Sequence, residues 1–209
     1  TNVFNRWDPN LFIDCHTTNG SYHVEPVTFT WMVNPNGDRS LIRYMSDKMM
    51  PAINKSLLSE YGVENCFYGE FASMTDPDRG WFFDASDPRY ITNYFGLRNR
   101  LAILDENYVY ADFKSRVYGN YYLLKSMTDY AVEHKDEIRN LIAAADAATV
   151  KRGENPAVTD SFAIEYKARA LPEKVTIKTY EAETYTDANG RRGLRRTDRR
   201  RDVTIPYYA

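Results

Sequence analysis

Two cysteines in 209 residues are too few for a disulfide framework. Cys15 and Cys66 both lie in strand-like runs; they could pair, but the expectation is two buried thiols. No run of about 18 apolar residues occurs, so no membrane span is expected. A formal net charge of −2 argues against a general nucleic-acid binder. The N-terminus carries no signal-peptide pattern, and no internal repeat is evident. What is plentiful is apolar and aromatic side chains: 43% hydrophobic, 14% aromatic and 17 tyrosines. That is enough for a sizeable core and for an aromatic-rich surface or cleft. The length suits one domain, or one domain plus a small appendage.

The chain opens abruptly, with Thr1 to Asn10 leading at once into the apolar run Leu11-Phe12-Ile13-Asp14-Cys15-His16 and then into a Thr/Asn/Gly/Ser turn. Such a run reads as a buried strand, and a start of this kind looks like the middle of a domain. Val24 to Val33 reads as extended. Asn34 to Asp38 is turn chemistry, after which Asp38 or Ser40 can cap a helix. Leu41, Met45, Met49, Ile53 and Leu57 form one apolar stripe, which Pro51 should kink or split and Tyr61-Gly62 should end. Asn65 to Ala72 is strand-like, and Ser73 to Asn93 is an aromatic-rich loop long enough to suggest a functional role.

Leu101 to Tyr108 is a second short apolar run, ending on Glu106. Asp112 can cap a long helix with the stripe Val117, Tyr121, Leu124, Met127 and Ala131. A further helix is expected from about Asp136 to Val150. Gly153 to Pro156 breaks the pattern, placing a boundary near 155. Beyond it lie strand-like runs at Ser161 to Ala168 and Lys174 to Thr184. A turn follows at Asp187 to Gly190, then a stretch, Arg191 to Arg201, with seven arginines. That arginine cluster suits an anionic partner, a solvated hairpin, or a surface that meets other parts of a parent protein.

His16 and Glu106 each stand where a strand should end, the position at which α/β sheets place ligands and catalytic groups. A neutral imidazole nitrogen can ligate a metal. A carboxylate beside a metal can take a proton from water and return it to a leaving amine. Taken alone, His16 reads equally as a strand cap, and Glu106 as a carboxylate paired with Arg98, Arg100 or Arg116. The two are 90 residues apart, so the pair exists only if their strands are neighbours.

The stretch Asp14-Cys15-His16-Thr17-Thr18-Asn19-Gly20-Ser21-Tyr22-His23 resembles the third zinc-ligand motif of zinc carboxypeptidases of the carboxypeptidase A type, most closely bacterial members with His-Thr-Thr-Asn-Gly. Asn93 to Glu106 resembles the strand that delivers that family's catalytic glutamate, and Tyr110 to Val117 resembles the start of the helix after it. The likeness covers roughly residues 5–135.

It implies an α/β fold, a partial three-layer sandwich with a mixed, mostly parallel sheet flanked by helices (carboxypeptidase/phosphorylase-like), over residues 1–155. A β-rich C-terminal appendage, or the start of a second domain, follows at 156–209. It further implies zinc as cofactor, His16 as a metal ligand and Glu106 as the catalytic base. The activity implied is a hydrolase removing C-terminal residues from peptides. Amide deacylation of an acylated amino acid and a catalytically inactive binding module are the alternatives. Neither nucleic acid nor membrane is an expected partner. Export to the periplasm or outside the cell is implied by the same likeness.

Tyr90 and Tyr94 correspond by position to the family's mobile substrate-holding tyrosine, although a packing role fits tyrosines in so aromatic a chain. His23 suits a pocket wall or a turn anchor, and Thr18 and Asn19 should hydrogen-bond in the turn. The departure is the family's early His-x-x-Glu motif, which supplies the other two zinc ligands; it and the substrate-binding arginines have no counterpart here. The one local match, His134-Lys135-Asp136-Glu137, comes after Glu106 in a helical region. The chain is therefore expected to be the C-terminal portion of a longer catalytic domain. It should be inactive and weak in zinc affinity alone, with a sheet edge open to self-association or to pairing with the missing part.

Overall fold

The computed structural model describes residues 2–18 and 20–209. Asn19 lies outside the described residues, as does the side chain of Thr18. The chain is a mixed α/β protein with two mixed sheets flanked by helices. In order, the first half comprises α1 (Asn2–Trp7), β1 (Leu11–Thr18), β2 (Val27–Trp31), α2 (Arg39–Tyr44), α3 (Met50–Tyr61), β3 (Asn65–Phe67), β4 (Glu70–Phe71) and β5 (Trp81–Phe82). The second half comprises α4 (Ile91–Gly96), β6 (Leu101–Tyr108), α5 (Phe113–Glu133), α6 (Lys135–Glu154), β7 (Ala170–Thr186) and β8 (Arg192–Tyr208).

The first sheet runs β1-β6-β2-β3, with β1 parallel to β6, β2 parallel to β3 and β6 antiparallel to β2. Side chains alternate across a strand, and this alternation sorts the sheet's two faces. Leu11, Ile13, Leu101 and Ile103 join the large core under α2, α3, α5 and α6. Phe12 and Ala102 join Phe4 and Phe95 under α1 and α4. His16, Leu104 and Glu106 share the second parity and therefore open on the α1/α4 face.

All five residues of the Leu41–Leu57 stripe are at most 1% exposed. A strict four-residue repeat overshoots a 3.6-residue turn by about 40° at each step, so a uniform α-helix would carry Leu57 far from Leu41's face. A wider π-helical turn at Met45–Met49 absorbs part of that drift. It also falls just before Pro51, which sits in the first turn of α3, where its missing N–H costs little. The expected split is thus a π-turn. Asp38 caps α2 by accepting from the Ser40 and Leu41 amides, and Gly62 ends α3 at φ +64°.

Two expectations are corrected on α5 and beyond it. The cap at Asp112 is found, but Val117, Tyr121 and Leu124 are exposed, while Gly119, Leu123, Ser126 and Met127 form the buried face. The small residues let the helix approach the sheet closely: a Cβ at Gly119 would lie 3.6 Å from that of Val27. Ser161 to Ala168 is not a strand. Its backbone is satisfied by a side chain instead, the Asn36 amide accepting from the Ala163 N–H (2.7 Å) and donating to the Ala163 carbonyl (2.9 Å).

β7 and β8 form a long antiparallel hairpin turned at Asp187–Gly190. It completes a second sheet of order β4-β5-β8-β7. Ile177, Val203, Ile205 and Tyr207 of the hairpin pack with Cys66, Phe71, Trp81 and Phe83. The Val24 and Tyr180 amides, donating to the Lys178 and Tyr22 carbonyls, tie the hairpin to the segment after β1. Among the described residues, no helix is long and apolar enough to cross a membrane.

Candidate active site

Parallel pairing of β1 and β6 sets His16 directly opposite Glu106. The His16 Nδ1 lies 4.0 Å from Glu106 Oε1, and its Nε2 lies 2.7 Å from Asp14 Oδ2. Asp14 stands two residues before His16, on the same strand face. A carboxylate on Nε2 selects the tautomer with the proton there and leaves the Nδ1 lone pair facing Glu106. The two side chains differ in exposure: 49% for His16 and 11% for Glu106. The imidazole stands open because β1 is the end strand of its sheet, whereas Glu106 sits between β1 and β2.

Both residues line a cleft of about 650 Å³, within the usual range for small-ligand sites. Its apolar wall includes Phe71, Phe82, Phe83 and Leu104; its polar groups include Tyr68, Glu70, Asp84, Arg89 and Tyr90. Burial, above all, pushes the Glu106 carboxyl up to about 7. His16 opposes the shift, while Asp14 and Glu70 add to it. Such a carboxyl exchanges a proton readily near neutral pH.

Tyr90 is in the cleft, its hydroxyl taking a hydrogen bond from Arg89 (3.1 Å). Tyr94 is not among the cleft residues; it packs edge-on against Phe95 and accepts from Arg98. The other local His-x-x-Glu is occupied elsewhere. His134 stacks on Tyr130, and Glu137 pairs with Lys48 at 2.6 Å. The alternative partners for Glu106 are likewise engaged elsewhere: Arg100 bridges Asp8 and Asp146, Arg98 lies over Phe4, and Arg116 lies over Phe113.

Sequence reasoning missed Asp14, Glu70, Asp84 and Arg89. Asp14 was legible, being two residues from His16 on a strand. The others arrive on β4 and on the loops around β5 and α4, whose placement depends on the second sheet. Cys15 corrects another expectation: it is exposed, on the opposite face of β1, because no strand among the described residues pairs with that edge, whereas Cys66 is buried. Both are free thiols.

His23 is 2% exposed, packs tilted against Tyr108 with ring centres 3.9 Å apart, and leaves Nδ1 without a hydrogen bond among the described residues. Burial holds its pKa down at about 4, so the 3.7 Å approach to Glu25 is a contact with a neutral ring and not an ion pair. Below pH 6.5 the unfolded chain takes up a proton that the folded chain refuses, so stability falls with pH. The loss reaches about 2 kcal/mol by pH 5. Glu25, raised by burial, acts with the opposite sign. Urea unfolding of the wild type and His23→Phe at pH 7 and pH 5 isolates the histidine: the difference in stability should shift by about 2 kcal/mol in favour of the variant. A pH-independent difference would exclude this role.

The residues fit zinc in part. His16 offers one nitrogen donor with a carboxylate on its other ring nitrogen, but among the described residues no group of three His, Cys, Asp or Glu side chains is arranged to hold a metal. Compared with known protein families, curated sequences and solved structures, the chain matches none.

Proposed function

We propose that this chain is the part of a zinc-dependent carboxypeptidase-like hydrolase that carries one metal ligand and the catalytic base. The observation that carries the reading is the in-register pairing of His16 with Glu106 above one cleft, with His16 Nδ1 free and the Glu106 pKa near 7. His16 would hold the metal, and the remaining ligands would come from outside the described residues, approaching along the open edge of β1. Zinc, when bound, would polarise the scissile carbonyl and stabilise charge on its oxygen. Glu106 takes the proton of the attacking water and later delivers it to the departing amine nitrogen. The apolar cleft wall excludes bulk water from this exchange, and Tyr90 and Arg89 supply donors for a bound substrate's polar groups.

Amide deacylation of an acylated amino acid uses the same attack and proton return, and differs only in what grips the substrate's far end. The incomplete donor set favours one reading from another class, a catalytically inactive binding module. Zinc measurements separate the two. The 209-residue chain should bind zinc weakly in calorimetry, since one protein ligand leaves most of the coordination sphere to water. A longer product of the same reading frame should bind one equivalent tightly and lose it in His16→Ala. Retention of zinc by that variant, or no zinc in the longer protein, would overturn the proposal.

A further inference from the structure

The arginine-rich hairpin plays no part in this chemistry, and its side chains fall into two sets. Between Tyr180 and Arg201 seven arginines accompany four carboxylates, Glu181, Glu183, Asp187 and Asp198, a positive surplus on a chain whose net charge is −2. Arg195 pairs with Glu183, Arg199 with Glu181 and Arg201 with Asp78. These three are neutralised where they stand. Arg196 and Arg200 form no ion pair among the described residues. Both lie over the ring of Tyr180, at 4.4 and 5.4 Å from its centre, which holds the two exposed guanidiniums within about 10 Å of each other. Arg192, nearer the turn, is also exposed and without an ion pair.

The same stretch has an open backbone edge. β8 pairs with β7 over most of its length, with a bulge at Thr197–Arg199 opposite Glu181, but on its other side it meets β5 only at Tyr207 and Tyr208. From Arg192 to Arg200 that second edge has no strand partner among the described residues. Arginines that only guard an edge against aggregation need no fixed orientation. Here two are clamped on one aromatic ring, with their donor forks left free.

We propose that the free edge of β8, with Arg192, Arg196 and Arg200, docks an acidic peptide segment in extended form. The segment would add a strand to the edge through its backbone, and its carboxylates would meet the unpaired guanidiniums. A peptide fits better than a nucleic acid. Only a peptide satisfies the open N–H and C=O row. The Tyr180 face on which a base would stack is already taken by the guanidiniums. The edge also runs toward Tyr208, whose ring stacks on the cleft residue Phe82 at 4.2 Å, so a docked segment points at the cleft. Docking does not depend on hydrolysis, and its test is independent of the activity proposed above.

The test is fluorescence anisotropy of the 209-residue protein with labelled deca-glutamate, deca-lysine and a ten-nucleotide oligothymidine. Deca-glutamate should bind, more weakly as salt rises, and deca-lysine should not. Arg196→Ser/Arg200→Ser should weaken binding about ten-fold, from the loss of two exposed charge contacts. Arg196→Lys/Arg200→Lys, which keeps the charge but loses the fork and the stacking, should fall between. Arg195→Ser/Arg199→Ser should change it by less than about three-fold. All these positions are exposed, and unchanged circular dichroism melts will establish that the variants fold. Deca-glutamate methylated at alternate backbone nitrogens should bind more weakly, because it cannot complete the strand pairing. The proposal is overturned by absence of deca-glutamate binding at low salt, by oligothymidine binding as tightly, or by equal losses in the two serine double variants. Full binding of the methylated peptide would overturn it as well.

Discussion

On the hydrolase reading proposed above, Glu106→Gln in a zinc-loaded protein should lower kcat by 10²- to 10⁴-fold while leaving the zinc content unchanged. Glutamine keeps the size of the side chain and its place opposite His16, but it cannot take or return a proton. The expected loss is large because burial and the neighbouring Asp14 and Glu70 set the glutamate near its proton-exchange point at neutral pH. Steady-state kinetics beside metal analysis would check it. A fall in kcat of less than about ten-fold would remove Glu106 from the chemistry. Loss of zinc in the variant would instead make it a ligand.

Trp81→Ala should destabilise the chain by about 3–5 kcal/mol, the largest stability effect expected of a single core residue. Trp81 is fully buried at the centre of the second sheet, on the strand that joins β4 to β8. Its indole N–H donates to the Phe67 carbonyl at 3.1 Å, and its ring meets Phe71 edge-on at 4.8 Å. Gly69 is shaped to it: a Cβ there would come within 2.4 Å of the indole nitrogen. The space left by alanine cannot collapse without moving the hairpin. Trp81→Phe, which retains most of the apolar area, should cost about half as much or less. Urea unfolding would measure both; a loss of under about 1 kcal/mol for Trp81→Ala would mean that the two sheets fold independently.

Much of this was readable before any fold was known, for identifiable reasons. The two strands that make the site are short apolar runs, although each continues two residues past its functional side chain, β1 to Thr18 beyond His16 and β6 to Tyr108 beyond Glu106. The Leu41–Leu57 stripe and the caps at Asp38 and Asp112 follow from periodicity and side-chain chemistry. What stayed hidden depends on partners far along the chain. Helix α5 turns Gly119 and Ser126 inward beside Leu123 and Met127, so a stripe drawn through large apolar side chains holds at Met127 and Ala131 but fails at Val117, Tyr121 and Leu124. Cys15 reads as buried from its neighbours, yet the edge beside it is open. The acidic and aromatic lining of the cleft comes from β4, β5 and their loops, which the C-terminal hairpin holds in place over a separation of more than a hundred residues.

The β1–β6 pairing carries one further consequence. A shift of one residue between these strands would turn every side chain to the other face, setting Cys15 or Thr17 where His16 now stands. Leu11, Ile13, Leu101 and Ile103 lie on the opposite side of the sheet, away from the cleft. They nevertheless work as an error-correcting code, because a slip of one residue would turn Leu11 and Ile13 away from the core that Leu101 and Ile103 share. The alignment of His16 with Glu106 is stored in residues that take no part in the cleft.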